Sequence, residues 1–274
     1  MEKKKYKIVV LADLKKSVTT TLKSAVSIAK IIQGDIYFFY VKNAVNVVER
    51  DNQLSAIRSI NQDYTATNKK IKKLVDAVSN DYHVNIHYSF AFGNVKHEID
   101  QFVKEQKPDI IVLGKKKFNP LSLVGDNMIQ FVLKQYHGTV FIADSKNTIE
   151  PNDKLSLGIL NSYETTSTPN LIEELLAHAQ KPIKSFQIVD KVERLDDVNV
   201  SSKVDTVNYV FQQNDNSINN LSTYITKNNI NLLYVERMGK SSKNKSNSIK
   251  QNLKDMSKLN VSLLLTGQQN NTVL

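Results

Sequence analysis

"DIIVLGKKKFNPLSLVGDNMIQFVLKQYHGTVFIAD", residues 109–144, is the stretch on which the fold turns. It opens on "DIIVLG" (109–114), a continuous apolar run typical of a strand covered on both faces. A loop follows, then "NMIQFVLKQY" with helical spacing, then a second short apolar run, "TVFIA" (139–143). Strand, Gly114, loop, Gly125 and helix are the order in which α/β proteins often hold a phosphate group. The loop nevertheless carries Lys115, Lys116 and Lys117 where further glycine is expected, and Asp126 occupies the helix start.

The same alternation extends in both directions and predicts βαβ units with parallel sheets. Upstream, strands are read at 6–12, 35–41 and 84–92. Helices are read from about Ser17, as N-cap, to Gln33, with Gly34 ending the helix, then over about 54–80 and 95–105. The buried side of the long second helix is expected to be Ile57, Ile60, Tyr64, Ile71, Leu74 and Val78, and that of the third Ile99, Phe102 and Val103. Downstream, "DSKNTIEPNDK" (144–154) is polar, holds a proline and lacks periodicity, which reads as a linker. The pattern then restarts. Strands fall at 154–160, 185–190, 206–213, 230–236 and 261–266, and helices at about 168–180, 217–228 and 246–259.

The chain therefore divides into a first domain (1–146), a linker (147–153) and a second domain (154–274). Local detail favours duplication. Placing Gly114 on Glu236 sets Lys117 on Gly239 and Gly125–Asp126 on Asn247–Ser248 without a gap. The second copy looks trimmed, because only "KVERLDDVNVSSKVD" stands where the first half has its long helix.

Composition narrows the class. Hydrophobic residues make up 41% of the 274, enough for full cores. No apolar run approaches the roughly 18 residues of a membrane span, and "IVVLA" is too short for a signal peptide core. Cysteine is absent, which excludes disulfides, thiolate metal sites and cysteine nucleophiles. A cytoplasmic protein without membrane contact is expected. The net charge of +10 comes from lysines scattered singly and in short groups, the pattern of solvated faces rather than of a nucleic-acid groove. His83 and His87 would share one face only if a strand ran through both, and no third ligand is local, so no metal site is assigned. Hydrolase and zinc-protease motifs are missing, and no catalytic residue is assigned. "YFFY" (37–40) is read as buried strand rather than as a stacking platform for bases.

"KIVVLADLKKSVTTTLKSAVSIAKIIQGDIYFFYV", "FGNVKHEIDQFVKEQKPDIIVLG" and the Gly125–Asp126 pair leading into "NMIQFVLKQYHGTVFIAD" together resemble the universal stress protein domain, and the second half resembles it more faintly. The resemblance implies two tandem five-stranded parallel sheets flanked by helices, a Rossmann-like α/β fold. It also implies pairing through the last strands, here 139–143 and 261–266, inside one chain or between two copies.

Nucleotide-binding members of that family hold ATP at the carboxyl ends of the strands. By position, Asp13 matches the acidic residue beside the ribose, Val41 the small apolar residue beside adenine, and Gly114 and Gly125 the first and third glycines of the phosphate loop. Lys117 replaces the second glycine, seven residues rather than nine separate it from Gly125, and Asp126 replaces a hydroxyl residue. A carboxylate at a helix N-terminus competes with phosphate for the same amides. In the second half Asn161 stands for Asp13, Glu236 for the first glycine and Asn247 for the third, while Gly239 and Ser248 are retained. The reading is a non-enzymatic stress-response or regulatory protein with a degenerate nucleotide site, no required cofactor and an unidentified regulatory protein partner. The alternative is ATP or another adenine nucleotide bound in the first domain by Asp13, Val41, Gly114, Lys117 and Gly125.

Overall fold

The computed structural model of the chain describes residues 5–15, 17–43, 53–115, 127–160, 170–189, 205–214, 216–237, 256 and 258–267. The first half runs β1 (Lys7–Leu11), α1 (Val18–Ile32), β2 (Asp35–Lys42), α2 (Gln53–Tyr82), β3 (Ile86–Phe92), α3 (Val95–Gln106), β4 (Ile110–Gly114), α4 (Asn127–Gln135) and β5 (Thr139–Ala143). The second runs β6 (Leu157–Leu160), α5 (Asn170–His178), β7 (Ile183–Val189), β8 (Thr206–Gln212), α6 (Ser217–Lys227), β9 (Leu232–Glu236) and β10 (Ser262–Thr266). The helix expected over 246–259 lies almost wholly outside the described residues; Met256 within it is helical.

All ten strands form one sheet in the order β3-β2-β1-β4-β5-β10-β9-β6-β7-β8. Every pairing is parallel except one. β5 and β10 run antiparallel, with Val140 opposite Leu265, Phe141 opposite Leu264 and Ile142 opposite Leu263. Each half thus contributes five strands in the same doubly wound order, and the halves join through their last strands. β1 and β4 are neighbours while the chain leaves β1 toward β2, so the crevice for a ligand in each half lies at the carboxyl ends of the first and fourth strands.

Two apolar layers clothe the sheet. Ile8, Val10, Phe38, Ile110, Val112 and Phe141 meet α1, α2 and α5 on one face. Val9, Ile111, Val140, Leu233 and Leu263 meet α3, α4 and α6 on the other. The continuous burial of β4 on both faces is what its unbroken apolar run predicts.

Helix ends depart in detail from the sequence reading. Ser17 caps α1 by position, but its side chain makes no capping bond; instead its carbonyl accepts the Thr20 and Thr21 hydroxyls at 2.7 and 3.1 Å. The left-handed residue that ends α1 is Gln33 (φ 55°), not Gly34. Gly34 is glycine for another reason: a Cβ there would lie 2.7 Å from Ile8 Cδ1.

The expected buried side of α2 holds only over its C-terminal part. Ile71, Val75 and Val78 are buried, whereas Ile57, Ile60 and Tyr64 are 54%, 41% and 54% exposed. Length explains the difference. A helix of 30 residues is about 45 Å long at ~1.5 Å per residue. The seven residues of β3 span only about 23 Å at ~3.3 Å each. Tyr64 reaches the end of the strand, with ring centroids 4.8 Å from Phe90 and 6.4 Å from Phe92, and the turns before it overhang.

The second half shows the converse. On the face that α2 covers in the first half, β2 and β3 present Ile36, Phe38, Ile86, Tyr88 and Phe90. The matching positions of β7 and β8 include Ser185, Gln187, Thr206 and Asn208. A polar sheet face needs no helix upon it. Residues 190–204, where such a helix would stand, lie outside the described residues.

The stretch between the halves is bedded rather than loose. Ile149 is fully buried, and its amide donates to Ser24 Oγ on α1 at 3.2 Å. Glu150 accepts from Tyr82 Oη at 2.9 Å and pairs with Lys23 at 3.4 Å. Replacing Ile149 by Ala should therefore cost the about 2–5 kcal/mol typical of a core isoleucine rather than the ≤0.5 kcal/mol of a free connection, as read by urea denaturation.

Candidate functional site: the carboxyl ends of the first and fourth strands

Three of the five sequence-assigned residues fall among the described ones. Asp13 lies two residues past β1, where its carbonyl accepts the Lys15 amide at 2.8 Å and its carboxylate sits 3.6 Å from Lys15 Nζ. The Tyr40 hydroxyl has a raised pKa through burial, which Lys42 opposes and the Asp13 charge supports more weakly. Val41 is half-buried near the end of β2, opposite Ala91. Asp13 and Val41 thus stand at the carboxyl ends of the neighbouring strands β1 and β2. Lys42, next along β2, is held by Asp63 of α2 at 3.0 Å.

Gly114 closes β4 opposite Ala143. A Cβ on it would lie 2.6 Å from Thr21 Oγ1, so the missing side chain makes room for the first turns of α1. Lys117 and Gly125 lie outside the described residues, as do Asn161, Gly239, Asn247 and Ser248 of the second half.

Of the lysine triplet, Lys115 is described, and it is not a solvated loop residue. Its side chain is 9% exposed. The ammonium crosses into the second half, donates to the carbonyls of Leu259 and, at 3.5 Å, Met256, and pairs with Asp144 at 3.6 Å. Burial pulls its pKa below the usual lysine value, with Asp144 opposing.

Arg237 mirrors this contact. It is the first residue after β9, as Lys115 is after β4. Its guanidinium donates to the carbonyls of Tyr136 at 3.0 Å, Leu133 at 3.3 Å and Gly138 in the first half. Leu133 and Tyr136 stand six and three positions before β5, as Met256 and Leu259 stand before β10. The backbones match as well: Lys115 N donates to Ala143 O and Arg237 N to Thr266 O, both at 2.8 Å. Each half therefore uses a cation to satisfy the orphan carbonyls at the end of the other half's last helical turn. Sequence reasoning missed both roles, although the gap-free overlay of Gly114 on Glu236 already aligned Lys115 with Arg237.

His83 and His87 are separated by the structure. His83 ends α2 in a left-handed conformation (φ 53°), outside the strand, and His87 on β3 stacks against Tyr37 at 5.0 Å. Among the described residues no group of three His, Cys, Asp or Glu side chains could hold a metal ion, and no helix is long and apolar enough to cross a membrane.

The fold and the crevice define a class: two doubly wound α/β units, each with its ligand position at the carboxyl ends of its strands, fused through their last strands. Residues 5–136, which make up most of the first half, match the model of the universal stress protein family. No curated protein matches it. Among solved structures, a universal stress protein from Archaeoglobus fulgidus covers 96% of this chain with 96% of its own, at TM-score 0.65 and 10% identity. A putative universal stress protein from Pseudomonas aeruginosa UCBPP-PA14 (TM-score 0.56, 8% identity) and a functionally unknown protein from Pseudomonas aeruginosa PAO1 (TM-score 0.58, 9% identity) each cover 95% of the chain with 92% of their own. At these identities the likeness is one of fold, and it embraces both halves.

Removing either cation takes the donor from two or three partly buried carbonyls, so Lys115→Met and Arg237→Met should each lower stability by about 1–3 kcal/mol in urea titrations. Lys115 adds a pH signature. Its folded pKa is below the unfolded value, so between the two the unfolded chain binds more protons and folding strengthens as pH rises. The stability difference between wild type and Lys115→Met should therefore widen as pH climbs toward the lysine range, and an unchanged or shrinking difference counts against the buried ammonium.

Proposed function

We propose that the chain is a non-enzymatic stress-response or regulatory protein of the cytoplasm whose nucleotide site is degenerate. One observation carries this reading: on the phosphate side of the first-half crevice, the described residues already serve the fold. Thr21 occupies the space over Gly114, and Lys115 is drawn into the joint between the halves. Added to this are the sequence departures at Lys117 and Asp126 and the shortened interval to Gly125. On this reading the protein acts through partner binding, with an unidentified regulatory protein as the partner class.

The placement of Asp13 favours a second reading. It stands at the end of β1 beside Tyr40 and Val41, where a ribose and an adenine ring would lie, so the nucleoside side is kept even where the phosphate side has changed. On that reading Asp13 and Val41 hold the nucleoside of ATP or another adenine nucleotide, and Gly114, Lys117 and Gly125 face its phosphates.

A ligand that binds only the folded state stabilises it by RT ln(1 + [L]/Kd), about 2.7 kcal/mol at a hundredfold excess over Kd. Millimolar ATP should leave the melting temperature where sodium chloride of equal ionic strength leaves it. A specific rise overturns the degenerate-site reading. The adenine-nucleotide reading requires that rise and requires Asp13→Ala to abolish it.

A further inference from the structure

We propose that Lys115 and Arg237 form a crossed conformational coupling, in which release of the cation in one half loosens the turn into the last strand of the other half. The carbonyl bonds run across the halves, while the ion pair of Lys115 with Asp144 stays within the first. Lys115 leaves the carboxyl end of β4, the strand end that borders the first-half crevice, yet its acceptors are Leu259, Met256 and Asp144 at the entry to β10 and the exit of β5. Arg237 leaves the carboxyl end of β9, and its acceptors are Leu133, Tyr136 and Gly138 at the entry to β5. β5 and β10 are the strands that join the halves. The strand end at each crevice is thus wired to the opposite side of the joint.

The trigger follows from charge. Lys115 has one ammonium, and a phosphate-bearing anion at the carboxyl end of β4 competes for it with Asp144 and the two carbonyls. Whatever draws the cation toward the crevice takes it from the joint, and by linkage an open joint favours the anion by the same factor. This trigger rests on the adenine-nucleotide reading of the first-half site; the crossed coupling itself does not.

Hydrogen exchange on the full chain tests both. Lys115→Met should raise exchange about tenfold at the amides of Leu259 to Val261 and leave Tyr136 to Gly138 unchanged, and Arg237→Met should do the reverse. Lys115→Arg and Arg237→Lys keep a donor and should restore most of the protection, and they decide the matter if a methionine variant does not fold. Loosening within the mutated half, or a uniform rise everywhere, overturns the coupling, since a merely structural role gives one of those patterns. For the trigger, millimolar ATP should raise exchange at Leu259 to Val261 in the wild type. ATP that raises the melting temperature without touching that turn overturns the trigger, and so does a lack of ATP binding, which also removes the adenine-nucleotide reading. In either case the crossed pattern stands or falls on the variants alone.

Discussion

The antiparallel pairing of β5 with β10 is the constraint from which the rest of the molecule follows. Each half is a five-stranded unit with one bare inner edge, and the two edges satisfy one another. Because they meet antiparallel, the carboxyl end of each fourth strand lies beside the amino end of the other half's last strand. The last turn before that strand points carbonyls into the partly buried joint. A donor from the other half satisfies them directly, and a cation is the strongest such donor. Lys115 and Arg237 occupy equivalent positions, one per half, from which a cation crosses.

The two solutions differ in a way that side-chain chemistry explains. Lysine offers a compact charge, and its ammonium takes two carbonyls and a counter-ion, Asp144, the first residue after β5. Arginine offers a flat fork that serves three carbonyls, with no carboxylate paired to it among the described residues. The residue matching Asp144 is Gly267, the first after β10. A Cβ on Gly267 would collide with the His137 carbonyl and lie 3.0 Å from the Arg237 guanidinium. The larger donor thus goes with the smaller neighbour, and the smaller donor with the carboxylate. The two sides of the joint have been repacked as units.

Strands were legible where burial on both faces leaves an unbroken apolar run, as in β4 and β5, or where a turn residue ends it. Helix α2 was legible in extent but not in burial. Periodicity reports that a face is apolar; it does not report where the sheet beneath it ends, and Ile57, Ile60 and Tyr64 lie past that point. The trimmed second copy was visible as a missing length of chain. The polar face of β7 and β8 gives the physical counterpart, because Ser185, Gln187, Thr206 and Asn208 can meet water where Ile36, Phe38, Ile86 and Tyr88 cannot. Gly34 and Gln33 show a narrower limit: a glycine near a helix end suggests the left-handed residue, but a close approach to Ile8 needs glycine just as strongly.

The site residues show why motif position and residue role separate. Gly114 and Lys115 fit the frame of a phosphate loop, and a glycine there admits close approach by anything, ligand or protein. In this chain the approaching group is Thr21 of α1. A lysine at the next position fits phosphate by charge, but a buried ammonium goes to whichever acceptors are fixed nearest to it. The joint fixes two carbonyls and a carboxylate within reach, and a mobile anion must outcompete all three. Asp13 faces no such competition from the joint, since β1 is two strands away from β5. Fusion of the halves therefore bears on the end of the first-half crevice at β4 and not on the end at β1. A joint between tandem halves can thus claim a side chain at the carboxyl end of the fourth strand while leaving the carboxyl end of the first strand untouched.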